Sequence, residues 1–282
     1  VQHAKTRTEL DRLQRPYVLV PTMGALHEGH AALIRQGAAI AKDHSFPGGC
    51  LVTIFVNPTQ FNDPADFARY PRVLADDLRL CEAAGAAAVF APAPDEVYPH
   101  NAKIPVPPLP DVATQPHLED AHRPGHFAGV CQVVARLFDL THPAAAIFGE
   151  KDWQQLQVIR AMTAQLNLPI DIIPAPTIRE EGGLAMSSRN RFLSPEDRQR
   201  GLAISRALRM ACTANTPDDA ESLMRKVLGE QSITPDYAVV REAHTLIRPT
   251  RPTATVSWRS LIAAKVGTVR LIDNAAWVPT RP

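Results

Sequence analysis

The chain has 282 residues, 45% hydrophobic and 21% charged, enough to bury a sizeable core in one large or two medium domains and too apolar for wholesale disorder. Thirty Lys and Arg against 29 Asp and Glu leave a net charge of +1, which gives no electrostatic reason to expect nucleic acid or a membrane surface as partner. The widely spaced Cys50, Cys81, Cys131 and Cys212, the lack of a long uncharged apolar run and the charged opening predict a cytoplasmic protein with free thiols.

Up to about residue 175, short apolar runs alternate with longer helical stretches. Strands are expected at 17–20, 50–56, 87–91, 144–148 and 170–173, and helices at 29–42, 72–84, 126–140 and 152–167. In the last of these, Leu156, Ile159, Met162 and Leu166 form a one-sided stripe. The strand runs are continuous rather than alternating, as in a parallel sheet covered by helices on both faces, which binds ligands beyond the carboxyl ends of its strands. Pro21, Pro58, Pro92 and Pro174 are expected just past strand ends, where a missing donor matters little. The proline-rich stretch 103–116 reads as an extended segment.

Beyond about 176 the pattern changes. Ser194-Pro195-Glu196-Asp197 is a helix start, with a cap, a first-turn proline and acids, and launches a helix to about Cys212. Thr216 or Asp218 starts another, to about Leu228. Short runs at 237–240, 254–258, 261–265 and 268–272 complete a smaller α+β unit, so the division is 1–175 and 176–282.

Polar clusters follow three of the strands. Pro21-Thr22-Met23-Gly24-Ala25-Leu26-His27-Glu28-Gly29-His30 combines permissive glycines with a helix start near Glu28 or Gly29, whose free N–H groups suit phosphate. His27 and His30, three apart, face one way, and without a third His or Cys nearby a metal pair is disfavoured. After the second strand, Asn57 and Gln60 are neutral groups suited to a hydroxyl or carboxylate. After the fourth come Gly149-Glu150-Lys151-Asp152, then Gln154 and Gln155, where Lys151 would meet phosphate and Asp152 is a candidate helix cap. A fourth cluster, Met186-Ser187-Ser188-Arg189-Asn190-Arg191, lies at the domain junction and is a further triphosphate candidate. No P-loop, Gly-x-Gly-x-x-Gly or Gly-x-Ser-x-Gly pattern is present.

With these segments, together with 53–61, 123–130, 148–156 and Arg270-Leu271-Ile272-Asp273-Asn274, the sequence resembles the pantothenate synthetases, AMP-forming pantoate:β-alanine ligases of the His-x-Gly-His nucleotidyl transferase superfamily. The resemblance implies a Rossmann-like nucleotide-binding domain with a smaller α+β lid domain. It implies condensation of pantoate with β-alanine through a pantoyl adenylate, with ATP as co-substrate carrying Mg2+, and a homodimer. By that resemblance Met23 to His30, Gly149 to Asp152, Ile178 and Met186 to Arg189 hold ATP, with His30 as proton donor and His27 and Lys151 beside it. Gln60, Gln155 and Asn57 fall to the substrates. Chemically, His30 reads as a donor to phosphate oxygen, either protonated or in its Nε–H form, because a carboxylate nucleophile needs no base.

Departures from the family pattern are a first sixteen residues without the usual apolar opening and the pair Asp76 and Asp77, read either as metal-related or as solvated helix residues. No metal ligand is assigned. Alternatives are a related transferase that adenylylates a phosphate ester, which would call for extra cations near Asn57 and Gln60, and a nucleotide sensor, which would have lost Lys151 or His30. A tRNA-charging enzyme fits least, having no room for an anticodon-binding surface.

Overall fold

Continuous apolar runs become the centre of a six-stranded parallel sheet in the computed structural model, which describes residues 1–248 and 256–278. The strands are β1 (Gln2–Ala4), β2 (Val18–Thr22), β3 (Cys50–Ile54), β4 (Ala88–Phe90), β5 (Ala145–Gly149) and β6 (Asp171–Ala175), in the order β1-β4-β3-β2-β5-β6. Four short helices are α1 (Arg7–Leu10), α3 (Pro64–Arg69), α5 (Pro94–Val97) and α6 (Glu119–His122). The longer ones in this part of the chain are α2 (Glu28–Asp43), α4 (Leu74–Ala83), α7 (His126–Thr141) and α8 (Trp153–Gln165).

Alternate residues of the buried strands serve opposite faces. Val18, Val20 and Val52 pack with Ile34 of α2 and Cys81 of α4, while Leu19, Leu51 and Phe90 pack with Val130 of α7 and Leu156 of α8. The chain winds outward from β2 to β4 and then returns to lay β5 on the other side of β2. Winding reverses between β2 and β5, where diverging connections leave a crevice at the strand ends.

Two expectations are corrected. Pro21 and Pro174 lie inside β2 and β6 rather than beyond them. Pro21 is tolerated because β5 pairs with β2 only at Val18 and Leu19, and Pro174 because β6 is an edge strand. The opening residues, blank in the apolar pattern, form edge strand β1, with Gln2 opposite Ala88 and Ala4 opposite Phe90.

The remaining elements are α9 (Pro195–Ala211), α10 (Pro217–Gly229) and an antiparallel sheet of β7 (Pro235–Glu242), β8 (Trp258–Val266) and β9 (Val269–Trp277). Ser194 and Thr216 cap α9 and α10, each accepting a backbone N–H at 3.1 Å. Residues 254 and 255 of the run expected at 254–258 lie outside the described residues, and Trp258 opens β8. One face of this sheet packs on α9 and α10, whereas Tyr237, Val239, Leu261 and Ala263 join the cluster of Phe127, Val130 and Trp153. The parallel sheet ends with β6 at Ala175, and one apolar cluster joins residues before and after that point.

The four cysteines are unpaired, and burial pushes the Cys50, Cys81 and Cys131 thiols up to about 12. No described helix is long and apolar enough to cross a membrane.

Candidate active site

A cavity of about 260 Å³ opens at the β2/β5 reversal, with walls from both parts of the chain. Its floor is the start of α2. His27 has extended backbone angles and caps this helix, its Nδ1 accepting the Gly29 N–H at 3.1 Å. His30, one turn on, reaches back so that its Nδ1 accepts the His27 N–H at 3.3 Å. The rings tilt against each other with centroids 4.2 Å apart. Gly29 is required by this packing, since a Cβ there would lie 2.8 Å from the His27 ring.

Capping fixes the protonation of both imidazoles. Burial, then the neighbouring cations Lys151 and Arg191, pushes His27 down to about 4. Burial, then His27 and Lys151, pushes His30 down to about 3. A neutral ring whose Nδ1 accepts must carry its proton on Nε2. Of the two forms considered for His30, the structure therefore selects the neutral Nε2–H donor, and His27 is held in the same form.

Lys151 and Asp152 belong to a single 3-10 turn (Glu150–Asp152) directly after β5 and line the cavity. The Lys151 ammonium lies 3.5 Å from Asp152, whose side chain makes no cap bond to α8, contrary to the expectation that it caps this helix. Ile178, Met186, Ser187, Ser188 and Arg189 line the facing wall. Ser187 caps a 3-10 turn by accepting the Arg189 N–H at 3.3 Å.

The second strand's cluster divides by role. Gln60 is 9% exposed; its Oε1 accepts from Asn57 at 3.1 Å and its amide nitrogen faces the Met23 sulfur at 3.2 Å. Asn57 is spent on the protein: its nitrogen donates to Gln60 and to the Gly129 carbonyl, and its oxygen accepts from Tyr98 and Thr59. It lines the cavity with these groups already committed to the protein, and so supports Gln60. Gln154 and Gln155 both line the cavity, Gln154 being buried and bonded to the Glu119 N–H and the Val112 carbonyl.

Five expected residues stay outside the lining. Gly24, Ala25 and Leu26 form the turn behind it, Glu28 pairs with Arg35 at the surface, and Glu150 pairs with Arg259. That turn is gripped by Asp77, which is 2% exposed and accepts from Ala25 N at 3.0 Å and Leu26 N at 2.7 Å. Asp77 is thus neither a solvated helix residue nor part of a metal pair with Asp76, which pairs with Arg79. Among the described residues no cluster of His, Cys, Asp or Glu is arranged to hold a metal ion.

The sequence reading also missed two contributors. Val130, Val133, Val134 and Leu137 of α7 provide an apolar wall beside Gln60. Arg123 donates to Nε2 of His126 at 3.0 Å, and His126 Nδ1 bonds the Gln60 carbonyl at 2.9 Å. Arg123 also lies 3.5 Å from Glu119, which Arg270 and Tyr237 hold as well. Burial alone would raise the Glu119 carboxyl, but these partners hold it down to about 2. An apolar helix face looks the same in sequence whether it lines a core or a cavity, so only the quoted segment 123–130 hinted at either contributor.

A family model described as Pantoate-beta-alanine ligase matches residues 1–276. The chain is 46% identical over 265 residues to a pantothenate synthetase of Nocardioides sp., covering 91% of this chain and 77% of the relative. Its fold matches the crystal structure of pantothenate synthetase from Thermus thermophilus, with a TM-score of 0.88, 37% identity and 98% and 99% of the two chains covered. It also matches the pantoate-beta-alanine ligase of Francisella tularensis in complex with beta-gamma ATP and beta-alanine, with a TM-score of 0.77, 30% identity and coverage of 98% and 97%.

Proposed function

This chain belongs to the pantoate-beta-alanine ligase family and is an ATP-dependent ligase of pantoate and β-alanine, and we propose that it works through a pantoyl adenylate formed over the His27–His30 helix start. The observation that carries this reading is the convergence of two neutral Nε2–H donors and the Lys151 ammonium on one cavity that also holds a neutral amide, Gln60, and an apolar wall.

In the first step a pantoate carboxylate oxygen forms a bond to the α-phosphorus. The bridge between the α- and β-phosphates breaks, and its electron pair leaves on pyrophosphate. Charge accumulates on the phosphate oxygens, where fixed donors and a cation stabilise the transition state more than the ground state. His30, His27 and Lys151 supply them, while Met186 to Arg189 hold the triphosphate from the facing wall. Mg2+, which the resemblance implies, would be held mainly by the triphosphate oxygens and water and would offset charge there.

Gln60 and Gln155 orient pantoate through its hydroxyls and carboxylate, with Val130 and Val134 against its geminal methyls. In the second step the β-alanine amine forms a bond to the activated carbonyl carbon, and AMP leaves with the electron pair of the broken C–O bond. The ammonium loses one proton to solvent before the attack, and the attacking nitrogen loses a second, to solvent or the departing phosphate, as the amide forms. The neutral partners of the Gln60 side chain, Asn57 and Met23, the engagement of Arg123 by Glu119 and the apolar α7 wall disfavour a phosphate-ester substrate.

Positional isotope exchange in ATP, with pantoate and without β-alanine, tests the adenylate: the bridging oxygen should scramble. ADP as product, or exchange only after amine is added, would overturn it. Two finer assignments are carried over from the resemblance. One is a homodimer joined through the nucleotide-binding part, which light scattering checks; the other is a cytoplasmic location, which cell fractionation checks.

A further inference from the structure

The loop that carries Lys151 has little support from its own lobe. β5 ends at Gly149, where an added Cβ would meet nothing within 4 Å, and only a single 3-10 turn separates it from α8. A lysine has four rotatable bonds, so its ammonium can be aimed reproducibly only if the backbone beneath it is fixed.

That fixing comes from the other end of the sequence. Asn274 of β9, 3% exposed, donates its side-chain amide to the Glu150 and Lys151 carbonyls, both at 2.9 Å. Its oxygen accepts from Arg259 Nε at 2.6 Å. Arginine can only donate and carbonyls only accept, so the amide has one permitted orientation and both its hydrogens are committed. Arg259 is itself clamped, its guanidinium 3.4 Å from the Trp153 ring centroid and 3.1 Å from the Glu150 carboxylate. Along β9, Arg270, Ile272 and Asn274 alternate toward the first lobe: Arg270 to Glu119, Ile272 to the cavity wall and Asn274 to the lysine loop. The Arg-Leu-Ile-Asp-Asn segment thereby has a physical task.

We propose that Asn274, oriented by Arg259, is a positioning residue that aims Lys151 at the transferring phosphates. The inference rests on the reading of Lys151 as the phosphate cation. Adenylation develops charge on the departing pyrophosphate as well as on the α-phosphate, whereas aminolysis loads only the α-phosphate of AMP, so Asn274 should matter far more to the first half-reaction than to the second.

The test measures the two half-reactions separately in Asn274→Asp, Arg259→Lys and Lys151→Ala. Rapid quench with ATP and pantoate follows adenylation, and β-alanine added to synthetic pantoyl adenylate follows aminolysis. Asn274→Asp sets a carboxylate oxygen against two carbonyls and should slow adenylation about 100-fold, with aminolysis within about two-fold. Arg259→Lys, which removes the Nε donor but keeps the charge, should show the same split at about 10-fold. In a Lys151→Ala background, Asn274→Asp should slow adenylation no further.

Equal losses in both half-reactions, an unchanged adenylation rate, or losses that add fully to Lys151→Ala would overturn the proposal. If Asn274→Asp does not fold, Arg259→Lys and its double variant with Lys151→Ala decide by the same criteria. Should Lys151→Ala itself leave adenylation intact, the phosphate-cation reading fails and this inference falls with it. A collapse in Lys151→Ala without the split in the other variants would sink this inference alone.

Discussion

Arg189, in the turn proposed for the triphosphate, donates to Asp66 of α3 at 2.8 Å, 123 residues away in sequence. On that proposal the guanidinium is occupied, without nucleotide, by a carboxylate that ATP must displace. The two side chains are 31% and 38% exposed, which makes the pair a weak competitor, worth at most ~1 kcal/mol. Asp66→Asn should therefore tighten ATP binding by up to about five-fold at low salt, and by less as salt screens the pair. Calorimetric titration with ATP at two ionic strengths checks this, and weaker binding in the variant would show that Asp66 holds Arg189 ready for ATP.

Lys151 and Gln60 should separate nucleotide from pantoate. Removing the Lys151 charge is expected to slow adenylation by two orders of magnitude or more, about 3 kcal/mol. Gln60→Ala should raise the KM for pantoate while ATP affinity measured alone stays within two-fold or so. Equal losses of ATP affinity in the two variants would mean that the division of the cavity is wrong.

Gly29 tests the cap. Gly29→Ala sets a methyl group against the His27 ring, so the ring must leave Nδ1 contact with the Gly29 N–H. A lost helix cap costs about 1 kcal/mol, and displaced Nε2–H donors should cost a further 10- to 100-fold in adenylation rate, roughly. Chemical denaturation and pyrophosphate release measure the two effects separately. A stable variant with normal release would show that the rings do not act through this geometry.

Acid should destabilise the protein in a defined window. His126 is 5% exposed, and burial, then Arg123, pushes it down to about 4, against 6.5 for an unperturbed histidine. Between those values the unfolded chain binds the proton and the folded one does not, so stability falls as pH drops from about 6.5 toward 4, by at most ~1.4 kcal/mol per pH unit for this group. His27 and His30 add in the same direction. Urea midpoints at pH 5 and pH 7 check the sign, and His126→Gln should flatten the dependence.

Strong local signals match the structure: five strand runs, the cap at Ser194, a second helix start at Thr216 or Asp218, of which Thr216 is the cap, and a helix opening at Glu28 after His27. Each carries its reason within a few residues. β1 has no signal in the sequence because, of its three edge residues, only Ala4 is buried and no apolar run results. Asp77 was misread because a carboxylate on a helix looks solvated until the turn at Ala25 and Leu26 is folded onto it, some fifty residues away in sequence. Asn57 has a polar side chain whose donors and acceptors are all used internally, which no local pattern reveals. The contact of Asn274 with the Glu150 and Lys151 carbonyls is hidden by a longer separation, 124 and 123 residues.

Tyr237, Val239 and Leu261 close an apolar cluster that Phe127, Val130 and Trp153 begin. During synthesis the second group leaves the ribosome roughly a hundred residues before Leu261, a delay of ~5–20 s at ~5–20 residues per second. For that interval the nucleotide-binding half carries an uncovered greasy face, so the nascent chain is a natural client for a holding chaperone. A fragment stopped at residue 175 would keep that face permanently and precipitate where the whole chain does not.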